Sequence, residues 1–109
     1  MKWFYEDIGL NRLEAEEKVL SMNFKPVNRG WAVPLKNKNG KESGRIHIVP
    51  SFNHFNVHQD SPSHKVCTHP EARYRVERII KLLNKEKFLY KIFRIFKKYY
   101  EKQTRIRTW

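Results

Sequence analysis

Apolar and polar residues alternate most clearly between residues 45 and 60. Successive side chains of a β-strand point to opposite faces of a sheet, so this alternation predicts strands with one buried face. The segment divides into two such strands, which are separated by Pro50 and the residues that follow it. Their shared apolar face is expected to hold four residues, which are Ile46, Ile48, Phe55 and Val57.

The turn between the two strands decides which polar residues face each other. A tight turn over residues 50–53 pairs Val49 with His54 and Arg45 with His58. This register places every apolar residue except Val49 on one face, and a slip by one residue would destroy that sorting. The opposite face then collects a set of polar side chains, which are Arg45, His47, His54, Asn56 and His58.

A third strand is predicted before these two. Residues 31–35 alternate, and Pro34 places them at a sheet edge because it has no backbone N–H. The Asn39-Gly40 pair predicts a two-residue type I′ hairpin turn, since both residues tolerate positive φ. This turn pairs Val33 with Ile46 and brings the apolar residues of all three strands to one side, so we expect a three-stranded antiparallel meander.

Helical spacing of apolar residues flanks the predicted sheet on both sides. Asn11 followed by Glu14 is typical of a capping box and predicts a helix over 11–22. A second apolar stripe predicts a helix over 70–84, with Thr68 as its N-cap. The first helix is expected to bury four residues, which are Leu13, Val19, Leu20 and Met22.

The order of these elements predicts the fold class. We expect an α+β domain in which helices cover one face of the three-stranded antiparallel meander, in the order α-β-β-β-α. Its core spans about residues 11–84, and a basic aromatic helical extension follows over about 86–109, with the helix itself near 86–103. The 109 residues are long enough for one modest core, so we predict a single domain over 1–109.

The α-β-β-β-α order over roughly residues 11–84 resembles that of double-stranded-RNA-binding domains and of mRNA-interferase toxins of the HicA type. This resemblance is one of topology. Those toxins carry a Gly-Ser-His segment on the first strand, whereas here Gly30 is followed by Trp31 and Ala32. No functional residue is therefore carried over from either family.

The net charge of +12 and the pI near 10 favour a polyanionic partner, with nucleic acid ahead of an anionic membrane surface. Residues 70–109 hold thirteen basic and four acidic residues, and residues 25–69 hold seven and two. We expect RNA to be preferred over DNA. The predicted nucleic-acid contacts are Arg45 and Asn56 on the sheet and Lys91, Arg94, Lys97 and Lys98 on the C-terminal helix.

Three histidines beside an arginine are the sharpest chemical signal in the chain. A ribonuclease that works without metal needs a base for the 2′-hydroxyl, an acid for the leaving oxygen and a cation for the phosphate. Imidazole exchanges protons near neutral pH, so His54 and His58 are the predicted catalytic pair, with His47 in reserve. The same face is also consistent with phosphate docking without catalysis, or with solvated histidines that have no role.

Metal binding is the alternative use of these histidines. His54, His58 and Asp60 would have to reach one ion, yet residues i and i+4 of a strand lie about 13 Å apart. A metal would need residues from two strands, or the loop residues His64, Cys67 and His69, which match no zinc spacing. We therefore expect no metal and no cofactor.

A small inhibitor of phage or plasmid type, which docks on a nucleoprotein or an enzyme, is the rival functional class. Direct nucleic-acid binding weakens steeply with salt, whereas apolar docking does not. The chain has no membrane-spanning run or signal-peptide pattern and only one cysteine, so we expect a cytoplasmic protein with no membrane partner. Protein contacts or self-association are expected through Phe88, Phe93, Phe96 and Tyr100.

Overall fold

The computed structural model describes residues 1–85. The predicted basic helix and the residues assigned to it lie outside this range. They are the nucleic-acid contacts Lys91, Arg94, Lys97 and Lys98 and the partner contacts Phe88, Phe93, Phe96 and Tyr100.

Residues 1–85 form an α+β structure, which confirms the predicted class. Its single antiparallel sheet has six strands in this part of the chain, so the prediction of three was incomplete. The elements are β1 (Lys2–Trp3), a 3-10 helix (Glu6–Ile8), α1 (Arg12–Ser21), β2 (Lys25–Pro26), β3 (Trp31–Lys36), β4 (Glu42–Pro50), β5 (Phe55–Asp60), β6 (Val66–Cys67) and α2 (Pro70–Asn84).

The predicted meander is the centre of this sheet. Its strands β3, β4 and β5 are neighbours, β2 extends the sheet beside β3, and β1 and β6 both pair with β5. Each added strand has only two residues. Two residues are too few to show the alternation by which strands are recognised in a sequence.

The register of β3 and β4 agrees with the prediction, although the turn between them does not. Val33 pairs with Ile46 as expected. The tight turn spans residues 37–40, in which Gly40 N–H donates to the Asn37 carbonyl at 3.0 Å and Gly40 has φ 78°. This is a three-residue loop with a left-handed glycine, and a bulge at the end of β3 takes up the extra residue.

The register of β4 and β5 differs from the prediction by two residues. Ser51 N–H donates to the His54 carbonyl at 2.9 Å, so the tight turn lies one residue later than expected. Arg45 therefore pairs with Asp60 and not with His58. A shift of two residues leaves every strand side chain on its original face, so the predicted apolar face is retained.

Contacts that are distant in sequence favour the observed register. Phe55 is fully buried, and its ring centroid lies 5.2–5.6 Å from those of Trp3, Tyr5 and Trp31. Because β1 pairs Trp3 with Phe55, the N-terminal segment packs against the start of β5. At the other end of β5, Asp60 gains an ion pair with Arg45. The aromatic partners of Phe55 lie outside residues 45–60, so no local pattern in that segment encodes them.

Helix α1 begins as predicted, and its buried face agrees with the prediction only in part. The Asn11 Oδ1 accepts a hydrogen bond from Glu14 N–H at 2.9 Å, which confirms the N-cap. Leu13 and Leu20 are exposed, with 71% and 46% of their surface accessible, so the predicted stripe was wrong at these positions. Val19 is buried and Met22 packs on the core, as predicted. Ala15 completes the buried face one turn before Val19, where its small side chain allows a close approach.

Helix α2 has the predicted bounds and a different cap. His69, and not Thr68, is the N-cap, because its Nδ1 accepts from Ala72 N–H at 3.1 Å. The buried residues of both helices join the apolar face of the sheet in one core. This core includes Ala15, Val19, Ile46, Ile48, Phe55, Val57, Val76, Ile80 and Leu83.

Candidate functional site

The polar side chains of β4 and β5 converge on the carboxylate of Asp60. Its Oδ2 lies 3.3 Å from Arg45 Nε and 3.1 Å from His47 Nδ1. Its Oδ1 lies 2.8 Å from His58 Nε2. We call these four residues, Arg45, His47, His58 and Asp60, the Asp60 cluster.

The strand register brings the Asp60 cluster together. Arg45 is directly opposite Asp60, and His47 is directly opposite His58. Side chains that face each other on one side of an antiparallel pair are close neighbours, and residues i and i+2 share that side. Gly44 permits the close approach here, because a Cβ at this position would lie 2.3 Å from the Asp60 carbonyl oxygen.

The Asp60 carboxylate is almost inaccessible to water, with 4% of its side chain exposed. A buried carboxylate is unfavourable unless cations or hydrogen-bond donors surround it. Arg45 and His58 supply such groups while keeping 27% and 23% of their side chains exposed. The cluster is therefore a buried anion with two partners that remain in contact with solvent.

His47 is held at both ring nitrogens. Its Nδ1 faces Asp60, and its Nε2 lies 2.5 Å from the backbone carbonyl oxygen of Arg29. Both neighbours are hydrogen-bond acceptors, whereas a neutral imidazole has only one N–H to donate. One ring nitrogen of a neutral His47 therefore faces an acceptor without an N–H to donate to it.

Gly30 holds the Arg29 carbonyl against His47. It has φ 79°, and a Cβ at this position would lie 1.9 Å from the Ile48 carbonyl oxygen. Only glycine lets the segment approach β4 so closely. A hydrogen bond of 3.0 Å from Val27 N–H to the Gly30 carbonyl closes the segment into a turn.

Burial lowers the pKa of His58 below its ordinary value, the Asp60 carboxylate opposes this by raising it, and His47 lowers it again. The net direction is downward, so the neutral imidazole is favoured at neutral pH. The rings of His47 and His58 meet edge to face, with centroids 5.0 Å apart. The two imidazoles thus lie close together on the polar face of the β4–β5 pair.

A cleft of about 520 Å³ opens beside the Asp60 cluster. Among residues 1–85, two guanidinium groups and two imidazoles line it, and no carboxylate side chain of this range belongs to its lining. We call it the basic cleft, and its lining residues are Val27, Asn28, Arg29, Arg45, His47 and His64. Cavities of this size accept small ligands or single nucleotide units.

His64 reaches the basic cleft from the loop between β5 and β6. It has the left-handed φ of 64°, and its N–H donates to the Ser61 carbonyl at 2.9 Å. The sequence indicated His64 only as a possible metal ligand and did not indicate Arg29, because the two residues come from separate loops that only the folded chain brings together. The available sequence signal was that each residue is basic and lies in a segment rich in turn-forming residues, Arg29 before Gly30 and His64 after Pro62 and Ser63.

The other predicted site residues lie elsewhere. His54 is in the turn after β4, where its ring centroid is 5.2 Å from that of Phe4 and its Nδ1 is 3.0 Å from Asn53 Oδ1. Asn56 is opposite Val49, toward the other end of β5 from Asp60. The structure thus groups Arg45, His47 and His58, adds Asp60, and leaves His54 outside the cluster.

The predicted absence of a metal site rested on the wrong set of histidines. The ligand atoms of His47, His58 and Asp60 all lie within 4.8 Å of one another, with one residue from β4 and two from β5. His54 is replaced in this set by the cross-strand His47. Among residues 1–85, the loop residues His64, Cys67 and His69 form no comparable group.

Comparison with protein-family models, with curated proteins and with solved structures gives no match for this chain. Within residues 1–85, no helix combines the length and the apolar character that crossing a bilayer requires.

Proposed function

We propose that the protein binds single-stranded nucleic acid, with RNA preferred over DNA, and holds a backbone phosphate in the basic cleft. The observation that carries this proposal is the lining of the cleft, where Arg29 and Arg45 come from different segments and Arg45 stays partly exposed beside its ion pair with Asp60. The guanidinium group matches phosphate oxygens through paired hydrogen bonds. Two such groups in one concave site favour a phosphate over a neutral ligand.

The dimensions and polar groups of the cleft favour a single strand of RNA. A volume of about 520 Å³ suits one nucleotide unit and not a duplex. Asn28 and His64 offer both donors and acceptors within the lining. A ribose 2′-hydroxyl is itself both donor and acceptor, and it is the group by which a protein distinguishes RNA from DNA.

The overall charge supports the same proposal. The chain carries a net charge of +12, which attracts a polyanion without regard to sequence. A contact in the basic cleft should add to this general attraction in a measurable way. Each phosphate contact that is lost lowers the slope of affinity against salt by about one unit.

Fluorescence anisotropy with matched single-stranded RNA and DNA oligonucleotides, over a series of salt concentrations, tests the proposal. Arg29→Gln should weaken RNA binding about tenfold and lower the salt slope by about one unit. Lys38→Gln is the matched control, because it removes one charge from the exposed β3–β4 turn, outside the basic cleft. Its effect should be much smaller.

Equal effects of the two substitutions would contradict the assignment of the cleft and leave only non-specific attraction. Tighter binding of DNA than RNA would contradict the stated preference. If neither nucleic acid binds, the interaction-protein alternative gains support, and it predicts salt-resistant binding to a protein partner.

Cleavage of RNA without metal stays a separate prediction. His54 lies outside the Asp60 cluster, and both ring nitrogens of His47 already face acceptors. Among the described residues, His58 Nδ1 is the one ring nitrogen of the cluster with no hydrogen-bond partner. A two-histidine mechanism therefore requires His47 to leave the Arg29 carbonyl, which makes binding the better-supported function.

A further inference from the structure

We propose that His47, His58 and Asp60 form a binding site for one divalent transition-metal ion of the zinc type. Their ligand atoms lie within 4.8 Å of one another on adjacent strands. The proposal goes beyond RNA binding and does not depend on it, because the three ligands are defined by their own geometry.

The spacing of the ligand atoms is close to that of a zinc site. His47 Nδ1 and His58 Nε2 lie 3.1 Å and 2.8 Å from different oxygens of Asp60, and one ligand atom from each residue can be chosen so that all three lie within 4.8 Å of one another. In a tetrahedral site with metal–ligand bonds near 2.0–2.1 Å, neighbouring ligand atoms are about 3.3 Å apart. Binding an ion therefore requires the three side chains to move closer together, and the strand register already places them side by side.

The second ring nitrogen of His47 has the partner that a metal ligand needs. A ligating histidine usually donates its other N–H to a carboxylate or a backbone carbonyl, which fixes the tautomer and the orientation of the ring. His47 Nε2 faces the Arg29 carbonyl in this way. A neutral His47 then donates from Nε2 to the Arg29 carbonyl. Its Nδ1 offers a lone pair to the ion, which the Asp60 carboxylate also binds.

The kinds of ligand select the class of metal. Two imidazoles and one carboxylate suit zinc and similar transition metals, whereas magnesium and calcium prefer sites built from oxygen. Three protein ligands also leave one coordination position open, as in catalytic zinc sites. We therefore expect zinc to bind and magnesium to bind far more weakly.

Arg45 is the feature that opposes a cation here. Its guanidinium lies 3.3 Å from Asp60 Oδ2 and repels a positive ion. A carboxylate has about four lone-pair sites, so Asp60 can hold the guanidinium and an ion together. Arg45 should weaken the site without abolishing it.

The test uses the full chain after removal of metal with EDTA and dialysis. Zinc titration by isothermal calorimetry should show one ion per chain, and magnesium should show no binding at the same concentrations. His58→Gln should weaken zinc binding by more than about 100-fold, since the loss of a mere supporting contact already costs 10–100-fold. His54→Gln is the matched control, because the same change falls outside the three ligands, and it should bind zinc like the wild type.

Cobalt absorption and a Cys67→Ser variant distinguish the site from the nearby thiol. We expect no thiolate charge-transfer band and no effect of Cys67→Ser on zinc affinity. Zinc should also raise the melting temperature of the wild type but not that of His58→Gln, which must show a native circular dichroism spectrum. Absence of stoichiometric zinc binding, equal binding by His58→Gln and His54→Gln, or dependence on Cys67 would each overturn the proposal, whatever the result for RNA.

Discussion

The two faces of the β4–β5 pair are buried by different means, although the same strands supply both. On the apolar face, Ile48, Phe55 and Val57 are completely buried within the core. On the polar face, Asp60 is 3% exposed, which is nearly as little. Packing holds the first face, and directed contacts to Arg45, His47 and His58 hold the second.

This difference determines what each face tolerates. An apolar face accepts a change of side chain if the volume is maintained, because dispersion and hydrophobic contacts have little directionality. Removing a partner of a buried charge destabilises the fold, because the remaining charged group stays buried without compensation. Substitutions on the two faces should therefore change different measured quantities, stability on one and binding on the other.

The largest effect is expected on the apolar face. Phe55→Ala removes a fully buried ring that contacts Trp3, Tyr5 and Trp31, and it should lower the free energy of unfolding by about 3–5 kcal/mol. Urea denaturation followed by circular dichroism measures this change. A loss below about 1 kcal/mol would contradict the central place of Phe55 in the core.

Asp60→Asn should be the most disruptive change on the polar face. It removes the negative charge that Arg45, His47 and His58 share, and we expect a loss of about 1–3 kcal/mol in the free energy of unfolding. The loss is expected to be smaller than for Phe55→Ala because asparagine keeps the size of the side chain and one oxygen that accepts hydrogen bonds. Asp7→Asn, on an exposed acidic residue, is the matched control and should change stability little. Equal stability of the two variants would contradict a buried, shared carboxylate.

Arg45→Gln should change the affinities for the two proposed ligands, RNA and zinc, in opposite directions. RNA affinity should fall about tenfold, because a phosphate loses a charge-assisted contact. Zinc affinity should rise severalfold, because a positive group 3.3 Å from Asp60 is removed. Anisotropy and calorimetry on one preparation measure both. Changes in the same direction would argue that Arg45 supports the shape of the site and not its charge.

The smallest effect is expected for His54→Gln. His54 lies in the turn beside Phe4 and makes no contact with the Asp60 cluster among the described residues. RNA and zinc affinities should both stay within about twofold of the wild type, since no charge of the cleft or cluster is removed. A loss as large as that of Arg45→Gln in RNA binding would restore His54 to the functional site.

Local pattern was sufficient for much of this fold. The period-two alternation of β3, β4 and β5 predicted their apolar face, and Asn11 with Glu14 predicted the start of α1. The face that α1 buries was not predictable from its leucines, because Leu13 and Leu20 are exposed while Ala15 packs on the core. Periodicity counts apolar residues, whereas packing also depends on how closely a helix can approach its neighbours.

For the candidate site as well, some features follow from the sequence and others only from the tertiary structure. The sequence by itself determined that Arg45 and His47 share one face of β4 and that His58 and Asp60 share one face of β5, because side chains alternate in any strand. Only the tertiary structure decided which of these residues meet. A shift of two residues between strands leaves both faces unchanged but exchanges every cross-strand partner. Contacts of Phe55 with the N-terminal segment and of Arg45 with Asp60 favour one register, and that register brings Asp60 into the cluster and leaves His54 in the turn.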